Sequence, residues 1–188
     1  TDLALAPVKA YVWKNVEGAK ENEFGKVIIA REFASGTEMT VSPGETLVVD
    51  FGQNCASVPS FVFKAAEGTV LTCLPAELLN DGNGAKIRGM DGPEGSCHRE
   101  NLRIPHTGIR LDYTFASGDN YVAYYPHCTF FGYRYVSITF TWNVAIKSLK
   151  SIPVTSIAKE LETGTITTGN DLVNKLISNT YWGQLSNY

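Results

Sequence analysis

Residues 47–66 read LVVDFGQNCASVPSFVFKAA, and the fold turns on how this stretch is read. Leu47, Val48 and Val49 lead in, and Val58, Phe61, Val62 and Phe63 follow. Both flanks are rich in β-branched and aromatic residues, the composition of strands. Between them lies the polar joint Asp50-Phe51-Gly52-Gln53-Asn54. Gly52 permits a positive-φ step that a side chain would resist. The spacing predicts two strands meeting at a strand end, where Asx side chains satisfy loose backbone groups. The same carboxylate and amides could instead grip a sugar or a cation.

Outward from this stretch, short β runs alternate with turn signals. Lys26–Ala34 and Thr69–Pro75 are strand candidates, with Ser42-Pro43-Gly44 and Glu67-Gly68 as turns. From Ile109 to Phe115 apolar and polar residues alternate, the pattern of a strand with one buried face. Ser117-Gly118-Asp119-Asn120 reads as a hairpin turn, answered by Tyr121–Tyr125 as its partner strand. Thr129–Thr141 is the most strongly β segment, and residues 144–157 add another strand or pair. Strands at this spacing imply an all-β fold, an antiparallel, jelly-roll-like β-sandwich. The expected layout is a lead-in over residues 1–25, in which Tyr11–Trp13 could form a short strand, a sandwich over 26–160, and a linker with a helix over 161–188.

That helix is announced by a change of period. Leu172, Leu176, Ile177, Tyr181 and Leu185 follow helical spacing, with Asn170 or Thr168 as N-cap and Asp171 in the first turn. Such an amphipathic helix should pack on the sandwich or belong to a further domain.

The totals exclude several classes. With 16 basic and 19 acidic residues, the net charge of −3 and the lack of any Lys/Arg block give nucleic acid no electrostatic footing. No apolar run approaches the ~18 residues that would span a bilayer. The first residues lack the charged n-region of a signal peptide, so the chain reads as beginning partway through something. No phosphate-binding loop or nucleophile elbow is present.

The four cysteines, Cys55, Cys73, Cys97 and Cys128, allow three disulfide pairings, and the sequence does not choose among them. Cys97-His98 and His127-Cys128 match no usual zinc spacing. The long Gly-rich segment Asn80–Gly108 opens with Asp81-Gly82-Asn83-Gly84, but Ala85 stands where a calcium loop needs its next ligand. Asp91, Glu94 and Glu100 could complete a nonstandard calcium site, and no other cofactor is expected.

Four stretches in order then resemble one family. They are Asp50–Asn54; Gly68-Thr69-Val70 running to Glu77-Leu78; Glu100–Arg103 followed by Phe131-Gly132-Tyr133-Arg134-Tyr135-Val136; and Thr163-Gly164 with Asn170, Leu172, Asn174 and Tyr181–Asn187. Over about residues 45–188 the chain resembles bacterial α-L-rhamnosidases, inverting glycoside hydrolases. The resemblance implies a β-sandwich accessory module ahead of a catalytic (α/α)6 barrel of the same polypeptide, with residues 171–188 as the barrel's first helix. It implies terminal L-rhamnose on glycans or glycosides as the parent's substrate and a periplasmic or secreted location. The family's catalytic carboxylate pair lies in the barrel, so no catalytic residue is assigned here, to Glu77 and Glu100 least of all. The module itself is expected to be structural, or else an autonomous carbohydrate-binding module contacting sugar through Asp50, Asn54, Tyr124 and Tyr133. For the aromatic residues, Tyr121 and Tyr125 included, a packed sheet face is the competing reading.

Overall fold

The computed structural model describes residues 3–34, 36–103, 108–116, 118, 120–158 and 161–188. It is an antiparallel β-sandwich built around one strand. The two apolar runs of residues 47–66 are not separate strands: Thr46–Ala65 forms a single 20-residue strand, β4, with the polar joint as a bulge inside it. Tyr133 stands opposite Cys55 and Tyr135 opposite Asp50, so Phe51–Asn54 bulge out against Arg134 alone. Gly52 has φ +78, and a Cβ there would come 3.1 Å from a Val8 methyl. The glycine that reads as a turn in sequence thus serves a bulge, which bends a strand without ending it.

The bulge hands β4 from one set of neighbours to another. Before it, β4 lies between β1 (Lys9–Glu17) and β10 (Phe131–Phe140). After it, β4 pairs with β11 (Val144–Pro153) on one side and with β10, then β9 (Val122–Tyr124), on the other. The register leaves residues 58–60 of β4 between β10 and β9, and Pro59, which has no N–H to donate, sits in that gap. The first layer runs β2-β1-β4-β10-β5-β8, where β2 is Lys26–Phe33, β5 is Val70–Ala76 and β8 is Leu111–Thr114. The second joins the far half of β4 to β9, β11 and β3 (Met39–Val41). A single core fills the space between, with Val12, Leu47, Val49, Leu71 and Ile138 from the first layer against Val41, Phe61, Phe63 and Ile146 from the second.

β8 and β9 do not form the expected hairpin. β8 pairs with β5 and β9 with β4. The rings of Tyr113 and Tyr124, 4.3 Å apart, meet between the layers instead. Of the turn predicted between them, Ser117 and Asp119 lie outside the described residues, as do Ile104–Thr107 of the long segment and residues 159 and 160 at the expected domain boundary. The predicted lead-in contributes β1, an interior strand that pairs with both β2 and β4.

The long segment after β5 covers the outer face of the first layer. Leu47 and Val49 face the main core, while Val48 joins Tyr11 and Val27 in a second cluster closed by Trp13, Leu79 and Cys97. A strand buried on both faces reads as a continuous apolar run, as 47–49 does. The cover is held by Asn80, whose backbone and side chain bind Ser96 and the Asp91 amide, and by Tyr11, whose hydroxyl donates to the Gly95 carbonyl at 2.5 Å. It closes onto the start of β2 so tightly that a Cβ at Gly84 would lie 2.6 Å from the Gly25 carbonyl oxygen.

The helix α1 spans Asp171–Leu185, capped by Asn170, whose side-chain oxygen accepts from the Leu172 and Val173 amides at 3.0 and 3.3 Å. Its C-terminal end is fixed to β4. Leu185 is buried, and Ser186 Oγ accepts from the Ala56 amide at 3.1 Å while donating to the Trp182 carbonyl at 2.9 Å. Ser156 N–H donates to the Tyr188 carbonyl at 2.6 Å beside it. Among the described residues no helix is long and apolar enough to cross a membrane.

Candidate functional site

The bulge gathers the polar groups of the chain's most distinctive motif. Asp50 accepts two parallel hydrogen bonds from Arg134, Nε to Oδ1 and Nη2 to Oδ2, both at 2.8 Å. Asp50 Oδ1 also accepts from the Gly52 amide at 2.6 Å. A fork-on-fork pair of this kind fixes orientation as well as contributing energy. Its side-chain hydrogen bond with Asp50 raises the Arg134 guanidinium above its ordinary value. Arg134 is the one residue facing four across the bulge, so the pair clamps the distorted stretch to the regular strand beside it.

Next to the clamp, Asn54 Nδ2 donates to Glu77 Oε1 at 3.1 Å, and Asn101 Nδ2 donates to Glu77 Oε2 at 3.0 Å. Glu77 follows the end of β5, and Asn101 comes from the long covering segment. Three parts of the chain therefore meet at one carboxylate. Across from it α1 presents Lys175, Ser178 and Asn179, one helical face at i, i+3 and i+4. Together with Gly52, Gln53, Leu78 and Arg134 these residues line an open cleft of ≈ 730 Å³. Amides, a hydroxyl, an ammonium and a carboxylate can donate to and accept from a polyhydroxylated ligand. Inverting hydrolysis needs two carboxylates, roughly 6.5–9.5 Å apart across a scissile bond; of the residues lining this cleft, Glu77 alone carries one.

The four predicted sugar contacts are not brought together. Asn54 lines the cleft and Asp50 lies behind its rim, engaged with Arg134. Tyr124 is half-buried against Tyr113. Tyr133 is fully buried in the core, edge-on to Phe51 at 5.9 Å, and accepts a hydrogen bond from Ser151 Oγ at 2.9 Å, so it offers no face to a sugar. Its position follows from the bulge: Tyr133, Val136, Ile138 and Phe140 are the buried residues of β10, and the three-residue step between the first two is the register shift. The remaining tyrosines are spread out. Tyr121 hydrogen-bonds Glu38 under Lys147, and Tyr125 stacks on His127 at 4.7 Å. Lys175, Ser178 and Asn179 carry no motif that sequence reading could have caught.

Two of the acidic residues considered for calcium, Asp91 and Glu94, have protein partners. Asp91 Oδ2 accepts from the Arg99 and Glu100 amides at 2.7 and 2.8 Å, and Oδ1 meets His98 Nδ1 at 3.0 Å. Burial pushes this carboxyl's pKa up, yet hydrogen bonds led by the Arg99 amide outweigh it and hold the group below its ordinary value. Glu94 pairs with Lys26 at 2.9 Å. Among the described residues no three His, Cys, Asp or Glu side chains gather as metal ligands. All four cysteines are free thiols, and burial pushes Cys97 up to about 12.

A family model described as the bacterial alpha-L-rhamnosidase concanavalin-like domain matches residues 39–157. An alpha-L-rhamnosidase of Streptomyces avermitilis is 29% identical over 168 residues, 87% of this chain and 14% of that protein. One of Alteromonas sp. is 27% identical over 146 residues, 77% of this chain and again 14% of the relative. The structure of alpha-L-rhamnosidase from Dictyoglumus thermophilum aligns with a TM-score of 0.59 at 24% identity, covering 79% of this chain and 16% of that one, a likeness of fold. The chain thus spans about 14% of the length of these curated relatives.

Proposed function

Because the chain belongs to the bacterial α-L-rhamnosidase concanavalin-like domain family, we propose that it is the β-sandwich accessory module of an enzyme that removes terminal L-rhamnose from glycans or glycosides. The module is structural and non-catalytic, and its partner is the helical catalytic barrel of the same polypeptide. One observation carries this reading. α1 is fixed to β4 at its C-terminal end, yet Leu172 and Leu176 are 79% and 64% exposed. A helix with an apolar stripe facing outward is built to be covered by something else. Beside it, Ile157, Leu161, Ile166, Ile177 and Tyr181 line an apolar groove of ≈ 780 Å³ that the same barrel would fill. A substrate of this class places the enzyme in the periplasm or the medium.

The chain by itself is expected to release no aglycone from an aryl α-L-rhamnoside; turnover by the purified chain overturns the non-catalytic reading. In a polypeptide that joins the chain to a barrel of the family, Leu176→Asp is expected to lower rhamnosidase activity and the melting temperature together. An unchanged melt and activity would remove the barrel as the partner of α1.

A further inference from the structure

α1 covers only part of its apolar surface: Leu185 is buried, and Ile177, Tyr181 and Trp182 are half-buried. Lys175, Ser178 and Asn179, all exposed, form one wall of a cleft whose other wall is the β4 bulge with Glu77, and Leu172 and Leu176 are exposed as well. The cleft is polar and of a size ordinary for small-ligand sites.

We propose that this cleft is a sugar-binding subsite in which Glu77 accepts hydrogen bonds from two adjacent hydroxyls of a neutral saccharide. Each oxygen of an ionised carboxylate has two lone pairs. Asn54 occupies one on Oε1 and Asn101 one on Oε2, which leaves one acceptor position on each oxygen for a vicinal diol. The two amides also hold the carboxylate in a single orientation before any ligand arrives, which lowers the entropic cost of binding. Lys175, Ser178 and Asn179 supply donors and acceptors for the opposite side of the ring. Arg134 lines the cleft but its charge is met by Asp50, so the lining sets Glu77 against Lys175 and favours a neutral polyol over an anion or a cation. This site differs from one built on Tyr124 or Tyr133, which the fold commits to packing. The family reading supplies only the choice of L-rhamnose as first probe.

Calorimetry and side-chain amide NMR of the chain with L-rhamnose and methyl α-L-rhamnoside test the subsite. Saturable millimolar binding is expected, with shifts at the Asn54, Asn101 and Asn179 amides. Glu77→Gln is expected to weaken it at least about tenfold, since a hydrogen bond to a charged group is lost. Glu77 also ties three chain segments together, so Asn179→Ala and Lys175→Met, both on the exposed helix face, provide folded variants; each should weaken binding roughly threefold. No saturable binding, binding indifferent to all three substitutions, or shifts confined to Tyr121, Tyr124 and Tyr125 would each overturn the subsite. None of these results alters the aryl-rhamnoside or Leu176 outcomes, so the two readings fail separately.

Discussion

The sandwich and α1 solve the same problem in opposite ways. In the sandwich, apolar side chains are buried on both faces of β4's first half, and the polar groups of the bulge are matched to one another, Asp50 to Arg134 and Glu77 to two asparagines. In α1 the apolar residues Leu172 and Leu176 stand in water, and the polar face lines a cleft. The sandwich fills its own core, while the helix is fixed to β4 at its C-terminal end and leaves Leu172 and Leu176 uncovered. A region that satisfies its own groups supports a fold; one that leaves them open waits for another surface.

That contrast predicts a graded response to substitution. Phe63 packs against Phe61, Tyr113 and Phe115 with ring centroids 4.5–5.4 Å apart. Phe63→Ala should destabilise the chain by about 3–5 kcal/mol in urea melts. Asp50→Ala removes the clamp on the bulge and should cost about 2 kcal/mol, the scale of hydrogen bonds to charged groups. If it costs nothing, the bulge is held by its strand neighbours alone. Asn170→Ala should cost about 1 kcal/mol of helix stability. Because α1 is joined to the sandwich chiefly at its far end, the loss should appear as fraying in the helical circular dichroism signal rather than as a lower global midpoint. Leu176→Gln in the isolated chain should fall within about 0.5 kcal/mol of wild type. A larger loss would mean that the helix is not the open region described.

Acid sharpens the contrast from the sandwich side. A carboxylate whose folded value is depressed contributes stability above its unfolded value and loses that contribution as pH falls through the folded one. Asp91 and Glu45 are both held low, Asp91 by hydrogen bonds led by the Arg99 amide and Glu45 first by its hydrogen bond with Arg31. Stability should therefore decline below about pH 4, and the decline should be shallower in Asp91→Asn.

Local signals were readable without coordinates. The apolar runs of β2, β5, β10 and β11 and the Asn170 cap follow from composition and period. What escaped were relations between distant segments. Gly52 marks a departure from regular backbone, but turn and bulge share a positive φ, and only the register against β10 separates them. Tyr133 lies at that register shift, so simple alternation misplaces it. The β8–β9 hairpin failed because each strand found a partner laid down much earlier in the chain. Glu77 gains its role from Asn54 and Asn101, each more than twenty residues away on either side. The exposure of Leu172 and Leu176 on α1 had no local signature, since an amphipathic period says which residues share a face and not what covers it.

The length of β4 has a kinetic consequence. Its neighbours β9, β10 and β11 begin more than fifty residues after it ends, so the strand that organises the sheet is made early and paired late. A ribosome adding 5–20 residues per second would leave Leu47–Ala65 without most of its hydrogen-bonding partners for several seconds. Non-local pairing of this kind folds slowly and exposes a strand edge meanwhile. The polar bulge interrupts what would otherwise be twenty residues of nearly continuous β-forming sequence. It shapes the native sandwich and also divides the nascent strand into two shorter, less adhesive pieces.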